Sequence, residues 1–253
     1  MISFAIKIFS YFSKVHALIL DILFPIHCVA CKREGAWLCE ACLSSIRLQN
    51  EHLCPICEKM ITPDGRTCLA CKKKNHLDGL LVASSYAQFP IANAVHLFKY
   101  RFVSELHVPL GKLLVKVLQK TELPLPNIIL PVPLHPRRLR WRGFNQSSLL
   151  AKNLAAHLLP QNIIPFNENI LVRKRYTTPQ MGIRNYGDRK QNIAGAFLLS
   201  PEADIKNKII LLVDDVATTG STLFECAKVL KAAGATEVFA IVVARQETKA
   251  SDR

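Results

Sequence analysis

The rhythm of apolar positions changes twice along the chain. Over residues 1–26 apolar side chains surround one polar stripe formed by Ser3, Lys7, Ser10, Lys14 and Asp21. That spacing predicts an amphipathic helix. Over 27–76 the periodicity disappears and cysteines take its place. From Leu77 onward, short apolar runs alternate with helical patterns. Gly79–Tyr86 predicts a strand; Ile91–Phe98 and Leu106–Leu118 predict helices, the second broken near Pro109 and Gly111. Asn127–Pro133 predicts a short strand and Ser147–Leu159 a helix. Residues 173–192 are polar, basic and aromatic and predict a long loop, followed by a short strand at Ala196–Leu199. Ile209–Val213 and Val238–Val243 predict buried strands flanking a helix at 221–233. Strands alternating with helices predict an α/β domain with a mostly parallel sheet flanked by helices. The chain thus divides into an N-terminal helix (1–26), a cysteine module (27–76) and an α/β domain (77–253).

The run IILLVDDVATTGST, residues 209–222, carries the most chemistry. A buried strand leads through two acids into a hydroxyl-rich turn around Gly220, then into a helix. Such a turn offers backbone N–H groups, hydroxyl donors and the positive end of a helix dipole, which together suit a phosphate. Carboxylates repel phosphate, so Asp214 and Asp215 are expected to accept hydrogen bonds from a vicinal diol instead. The pair therefore suggests a ribose 5-phosphate. Neighbouring strand residues point to opposite faces, so both acids reach one ribose only if the strand ends there. A capped strand end before a Ser/Thr turn explains either half of the run, but fits the whole poorly.

VDDVATTGST resembles the phosphoribosyl pyrophosphate (PRPP) signature of type I phosphoribosyltransferases. The resemblance implies that Asp214 and Asp215 hold the ribose hydroxyls. It further implies that Val216, Ala217, Thr218, Thr219, Gly220, Ser221 and Thr222 form the 5-phosphate loop, with PRPP bound as its Mg2+ complex. No G-x-x-x-x-G-K-[ST], G-x-G-x-x-G or G-x-S-x-G occurs, which disfavours P-loop, dinucleotide and α/β-hydrolase readings. De novo purine synthesis is also disfavoured, for want of an N-terminal cysteine nucleophile and of room for a glutaminase domain.

Charge and cysteine content narrow the picture further. The net charge is +14, with 33 Lys and Arg against 19 acids. Such an excess calls for a polyanion: pyrophosphate, nucleic acid or an anionic membrane surface. Eight of the nine cysteines form four C-x-x-C pairs: Cys28/Cys31, Cys39/Cys42, Cys54/Cys57 and Cys68/Cys71. Two such knuckles complete a four-cysteine site, so eight thiolates match two Zn2+ ions, paired sequentially or crossed. Ligand type alone also admits an iron–sulfur cluster. His27, His52 and His76 have no necessary role, and Cys226 reads as a small core residue.

Lys7, Lys14 and Asp21 interrupt the N-terminal helix, and no small-residue cleavage site follows it, so it does not read as a secretory signal. No uncharged stretch reaches the roughly 18 residues of a membrane span. The helix suits packing on its own domain first, and a partner or peripheral membrane contact second. Thiol pairs suited to metal place the chain in the cytoplasm.

Two basic segments flank the acidic run. PVPLHPRRLRWRGFNQS (131–147) follows a strand and contains Arg137, Arg138, Arg140 and Arg142 beside Trp141 and Phe144. In a PRPP enzyme a loop here holds pyrophosphate, which points to Arg137 and Arg138. The aromatics fit core packing, and also stacking on nucleobases. RKRYTTPQMGIRNYGDRKQN (173–192) resembles in position and charge the flexible catalytic loop of type I phosphoribosyltransferases, with Arg184 and Arg189 as its candidate catalytic cations. The order of cysteine pairs, LFKY (97–100), the Arg-rich loop, TPQ–RxxN and VDDVATTGSTL is similar to that of the ComF/GntX family from about Cys28 to Arg245. That resemblance implies a double zinc ribbon joined to a type I phosphoribosyltransferase-like domain. It also implies a role in natural transformation, handling incoming single-stranded DNA beside other proteins of the competence machinery. The alternative is an active phosphoribosyltransferase on an unidentified small-molecule acceptor.

Overall fold

The structure is a computed structural model and describes residues 25–73, 75–177 and 191–246. Nearly all of the predicted N-terminal helix, and Arg184 and Arg189 of the basic loop, lie outside the described residues.

The cysteine module is built from short pieces: α1 (Glu40–Ser44), a two-residue hairpin pair β1 (His52–Leu53) and β2 (Ile61–Thr62), and α2 (Leu69–Lys72). The α/β domain follows as β3 (Gly79–Ser85), α3 (Phe89–Tyr100), α4 (His107–Leu118), β4 (Ile128–Pro131), α5 (Pro136–Arg142) and α6 (Gln146–His157). It continues with β5 (Leu171–Arg173), β6 (Phe197–Leu199), β7 (Ile209–Ala217), α7 (Ser221–Ala232) and β8 (Glu237–Arg245).

Four strands form a wholly parallel sheet in the order β3-β8-β7-β4. The central strands are apolar on both faces, as a sheet covered by helices requires. Ile209, Leu211 and Val213 join the core beneath α3, α4 and α6, while Ile210 and Leu212 join the core beneath α7 and the β5–β6 pair. Pro131 is tolerated because β4 is an edge strand, where a missing N–H breaks no ladder. β5 and β6 pair antiparallel and apart from the main sheet.

Three expectations need correction. The helix over Leu106–Leu118 is not broken: α4 runs continuously from His107. Pro109 falls in its first turn, where an amide has no intrahelical partner to lose. Gly111 marks a close approach, since a Cβ there would lie 2.2 Å from Asn153 Oδ1 on α6. The segment 173–192 is not structureless throughout, because Arg173 belongs to β5 and residues 191–193 are helical. Finally, β7 does not stop at Val213; its pairing with β8 continues through Val216↔Ala244 and Ala217↔Arg245.

Candidate functional site

The turn between β7 and α7 lies at the carboxyl edge of the sheet, where ligands of open α/β folds bind. Gly220 is the N-cap of α7, with φ of 76° and no side-chain cap on the helix. A side chain here is strained by that backbone, and its Cβ would also meet the Phe224 ring at 2.9 Å. Thr219 and Ser221 are buried, their hydroxyls 2.8 Å apart. The helix therefore opens with amides and hydroxyls gathered at its positive end, a cradle for an anion.

Immediately upstream, Asp214 and Asp215 lie within the strand, and each is bonded by a helix packed on the sheet. Ser147 Oγ on α6 donates to Asp214 Oδ1 at 2.7 Å, and Lys99 Nζ on α3 pairs with Asp215 Oδ1 at 2.9 Å. Each acid also accepts the next residue's amide: Asp215 N to Asp214 Oδ1 at 2.9 Å, and Val216 N to Asp215 Oδ1 at 2.7 Å. These side-chain-to-backbone bonds hold both carboxyl groups close to the strand. The two helices are tied together by Gln146, which donates to the Phe98 carbonyl at 3.0 Å. Asn145 fixes the start of α6 by accepting from Ser147 N at 3.2 Å and donating to the Val132 carbonyl at 3.1 Å.

Burial, then the neighbouring Asp215, pushes the Asp214 carboxyl up from 3.8 to about 7, against the pull of Lys99 and Ser147. The folded chain thus keeps a proton that the unfolded chain has lost between pH of about 4 and about 7. Stability contributed by this group is present at the low end of that window and declines as pH rises through it. The melting temperature of Asp214→Asn is expected to fall less than that of the wild type from pH 5 to pH 8, measured by circular dichroism. Parallel curves would refute the assignment.

The Arg-rich segment after β4 forms α5, capped by His135, whose side chain accepts from Arg137 N at 3.2 Å. Arg137 and Arg138 lie over the Tyr176 ring at 5.6 and 5.5 Å. Arg138 donates to the Thr177 carbonyl at 2.7 Å, while Arg173 donates to the Thr177 hydroxyl. Arg173 is only 7% exposed, sits over Phe197 and leaves its Nε without a hydrogen-bond partner among the described residues. Burial, then the Arg138 charge, lowers its guanidinium to about 10. Burial, then Arg137, Arg173, Arg138 and Arg140, also lowers His135. Cations so crowded are stabilised by an anion.

Structure separates the two aromatics of this segment. Phe144 packs on Phe98 against the core, with centroids 5.7 Å apart. Trp141 is 62% exposed and meets Phe102 edge-on at 5.1 Å. Lys99 and Ser147 are site neighbours that the sequence does not single out, whereas Arg173 reads there as one cation of the basic segment. The one signal for Lys99 was a cation interrupting the aromatic pair in LFKY.

The cysteines form two clusters, Cys28, Cys31, Cys39, Cys42 and Cys54, Cys57, Cys68, Cys71, with ligand atoms all within 4.8 Å of one another. Four sulfurs about 2.3 Å from a tetrahedral Zn2+ lie about 3.8 Å apart, so both clusters fit the ion and the pairing is sequential. Cys39 N approaches Cys28 Sγ at 3.5 Å and Cys68 N approaches Cys54 Sγ at 3.4 Å, as amides do around a thiolate. Lys32 and Glu58, each directly after a knuckle's second cysteine, take positive φ of 65° and 52° and turn the chain back around the sulfurs. Neither cluster includes a histidine. Cys226 is buried in the core beneath α7. Among the described residues, no helix is long and apolar enough to cross a membrane.

Comparison with known proteins agrees with this architecture. A phosphoribosyl transferase domain model matches residues 145–253, and a double zinc ribbon domain model matches residues 19–75. Competence protein F of Haemophilus influenzae is 31% identical over 227 residues, covering 85% of this chain and 95% of that protein. DNA utilization protein YhgH of Escherichia coli K12 is 35% identical over 210 residues, covering 81% and 88%. YhgH of Salmonella typhi is 35% identical over 205 residues, covering 79% and 87%. Identity at this level, sustained across most of each chain, makes the protein a member of the ComF family.

Proposed function

We propose that this protein is a competence factor that handles incoming single-stranded DNA in the cytoplasm and carries a PRPP-binding site at the carboxyl edge of its sheet. One observation carries the reading of the site: a glycine-capped, hydroxyl-rich helix start at Gly220 directly follows two acids held by α6 and α3, with the Arg-rich α5 on the adjacent strand's exit. In this reading the amides and hydroxyls of Thr218–Thr222, entered through Val216 and Ala217, hold the 5-phosphate. Asp214 and Asp215 accept from the ribose hydroxyls. Arg137 and Arg138 face the pyrophosphate, joined by Arg184 and Arg189 from the segment outside the described residues. Mg2+ bound with PRPP would neutralise part of the charge on the pyrophosphate that Arg137 and Arg138 face. If the bond to pyrophosphate breaks, charge accumulates on the leaving group, and preorganised arginines lower that barrier.

The DNA role rests on the relatives named competence protein F and DNA utilization protein. It is supported by the +14 charge and by the exposed Trp141–Phe102 pair beside α5's arginines. Other proteins of the competence machinery are its expected partners. We divide the chain functionally into the ribbon (27–76) and the phosphoribosyltransferase-like domain (77–253).

Fluorescence anisotropy of a labelled single strand, titrated at several salt concentrations, tests the reading. Affinity should fall steeply with salt as phosphates are neutralised. Trp141→Ala should cost about fivefold or more, on the scale of one lost base stack. A strand that does not bind at low salt, or binds equally well to Trp141→Ala, removes this surface from the proposal. Pyrophosphate release from PRPP, with and without the strand, separates a binding site from an active transferase.

A further inference from the structure

Lys99 is the least expected member of the acid site. It projects from α3, a helix fixed on the core by Ile91, Ala94, Val95 and Phe98, all essentially buried. Its side chain is 21% exposed, and its ammonium lies 2.9 Å from Asp215 Oδ1. That oxygen also accepts Val216 N, while Asp214 Oδ1 accepts both Ser147 Oγ and Asp215 N. One oxygen of each carboxylate is therefore already engaged by the protein. A second cation, Arg142, is attracted by Asp215 and rests near the Tyr100 ring at 5.9 Å. Lys99 thus offsets the charge of the acid it touches. Mg2+ demands near-octahedral oxygen coordination and strips its waters reluctantly. Among the described residues, only the cysteine clusters bring three or more metal-ligating side chains together. The acid pair does not fit a divalent ion of its own.

We propose that Lys99 is a built-in cation that keeps divalent metal off Asp214 and Asp215, reserving them as hydrogen-bond acceptors for an uncharged vicinal diol. A metal ion seated on Asp215 would confront the ammonium at short range. A pair of sugar hydroxyls brings no charge, and can donate to the carboxylate oxygens that remain. Lys99 thereby acts as a specificity-determining residue, selecting hydroxyls over metal at this position. The identity of the diol as ribose rests on the function proposed above; the exclusion of metal does not.

The test uses the full-length, zinc-loaded chain with no PRPP and Mn2+ as the probe, read by electron paramagnetic resonance. Mn2+ stands lowest in the divalent affinity series and prefers oxygen, so it leaves the zinc thiolates alone. The wild type is expected to bind no Mn2+ at the acid pair. Lys99→Met should gain Mn2+ affinity by at least about tenfold, since affinity follows the net charge of the ligand set. Adding Asp215→Asn should abolish the gain. Lys99→Gln, which keeps a hydrogen-bond donor but not the charge, should behave like Lys99→Met and serves if the methionine variant fails to fold. The proposal is overturned if the wild type binds a Mn2+ that Asp215→Asn removes. It is equally overturned if the folded neutral variant binds no more tightly than the wild type. Failure of PRPP to bind would leave these readings unchanged, because no ligand is added.

Discussion

Cys28→Ser should lose one of two zinc ions and bring down the whole α/β domain, whereas Cys71→Ser should lose one zinc ion and leave that domain's melting nearly intact. The asymmetry follows from where each cluster sits. Cys28 and its neighbours Val29, Leu38, Leu43 and Ile46 are buried in the same core as α3, α4 and α6. The second cluster belongs to neither core; it is held by polar contacts. Thr67 N donates to the Asp78 carbonyl at 2.8 Å, Thr67 Oγ1 donates to the Leu77 carbonyl at 2.6 Å, and Arg245 pairs with Glu58.

A structural zinc site contributes on the order of 10 kcal/mol to the folding of a small module. A whole domain retains only about 5–15 kcal/mol of net stability. Loss of the first ion releases four apolar side chains that close one face of the α/β core, each contributing about 1.5–3 kcal/mol when buried. The melting temperature of Cys28→Ser should therefore drop by on the order of 10 °C or more. The Cys71→Ser variant should show a small early transition from the ribbon, followed by a main transition close to the parent's. Zinc content by mass spectrometry and melting by circular dichroism read both. Equal destabilisation by the two substitutions would contradict the division of the core.

The sequence made the ribbons legible because cysteine spacing is itself the chemistry: four C-x-x-C pairs leave few ways to complete two tetrahedra. It left the pairing open, since that depends on how the hairpin β1–β2 and the short helices bring the knuckles together. The parallel sheet was legible for a similar reason, as runs such as Ile209–Val213 have no polar face to expose. The reach of β7 was not. Asp214 and Asp215 look like a strand end when hydropathy alone is read, yet parallel pairing with Val242 and Ala244 carries the strand through them. Alternation alone does not show what holds the acids, since Ser147 and Lys99 come from helices far away in the chain. The intact α4 was hidden by Gly111, whose role is to admit Asn153 from a helix some 40 residues later in the chain. Lys99 and Ser147 were hidden in the same way, since no local pattern announces a partner that folding supplies.

Those partners set how the acid pair should respond to substitution. Removing both acceptors, as Asp214→Ala/Asp215→Ala, should weaken PRPP by about 100-fold or more, because each hydrogen bond to a charged group contributes about 1.5–3 kcal/mol. The single variants should differ in a way that a mere loss of acceptors does not explain. Asp215→Asn leaves Lys99 half-buried without its counter-charge, so it should lose stability as well as affinity. Asp214→Asn removes the carboxyl that burial and Asp215 hold near 7, so it should lose affinity while gaining stability above that pH. Wild-type affinity should also rise as pH passes through about 7, when Asp214 becomes a full acceptor. PRPP's own phosphates titrate nearby, and Asp214→Asn is the control: the rise that persists belongs to the ligand, and the rise that vanishes belongs to the protein. Isothermal titration at pH 6 and pH 8 with the three variants separates these terms. Unchanged affinity in the double variant would remove the ribose from this site, leaving Gly220 and its hydroxyls as a cradle for some other phosphate.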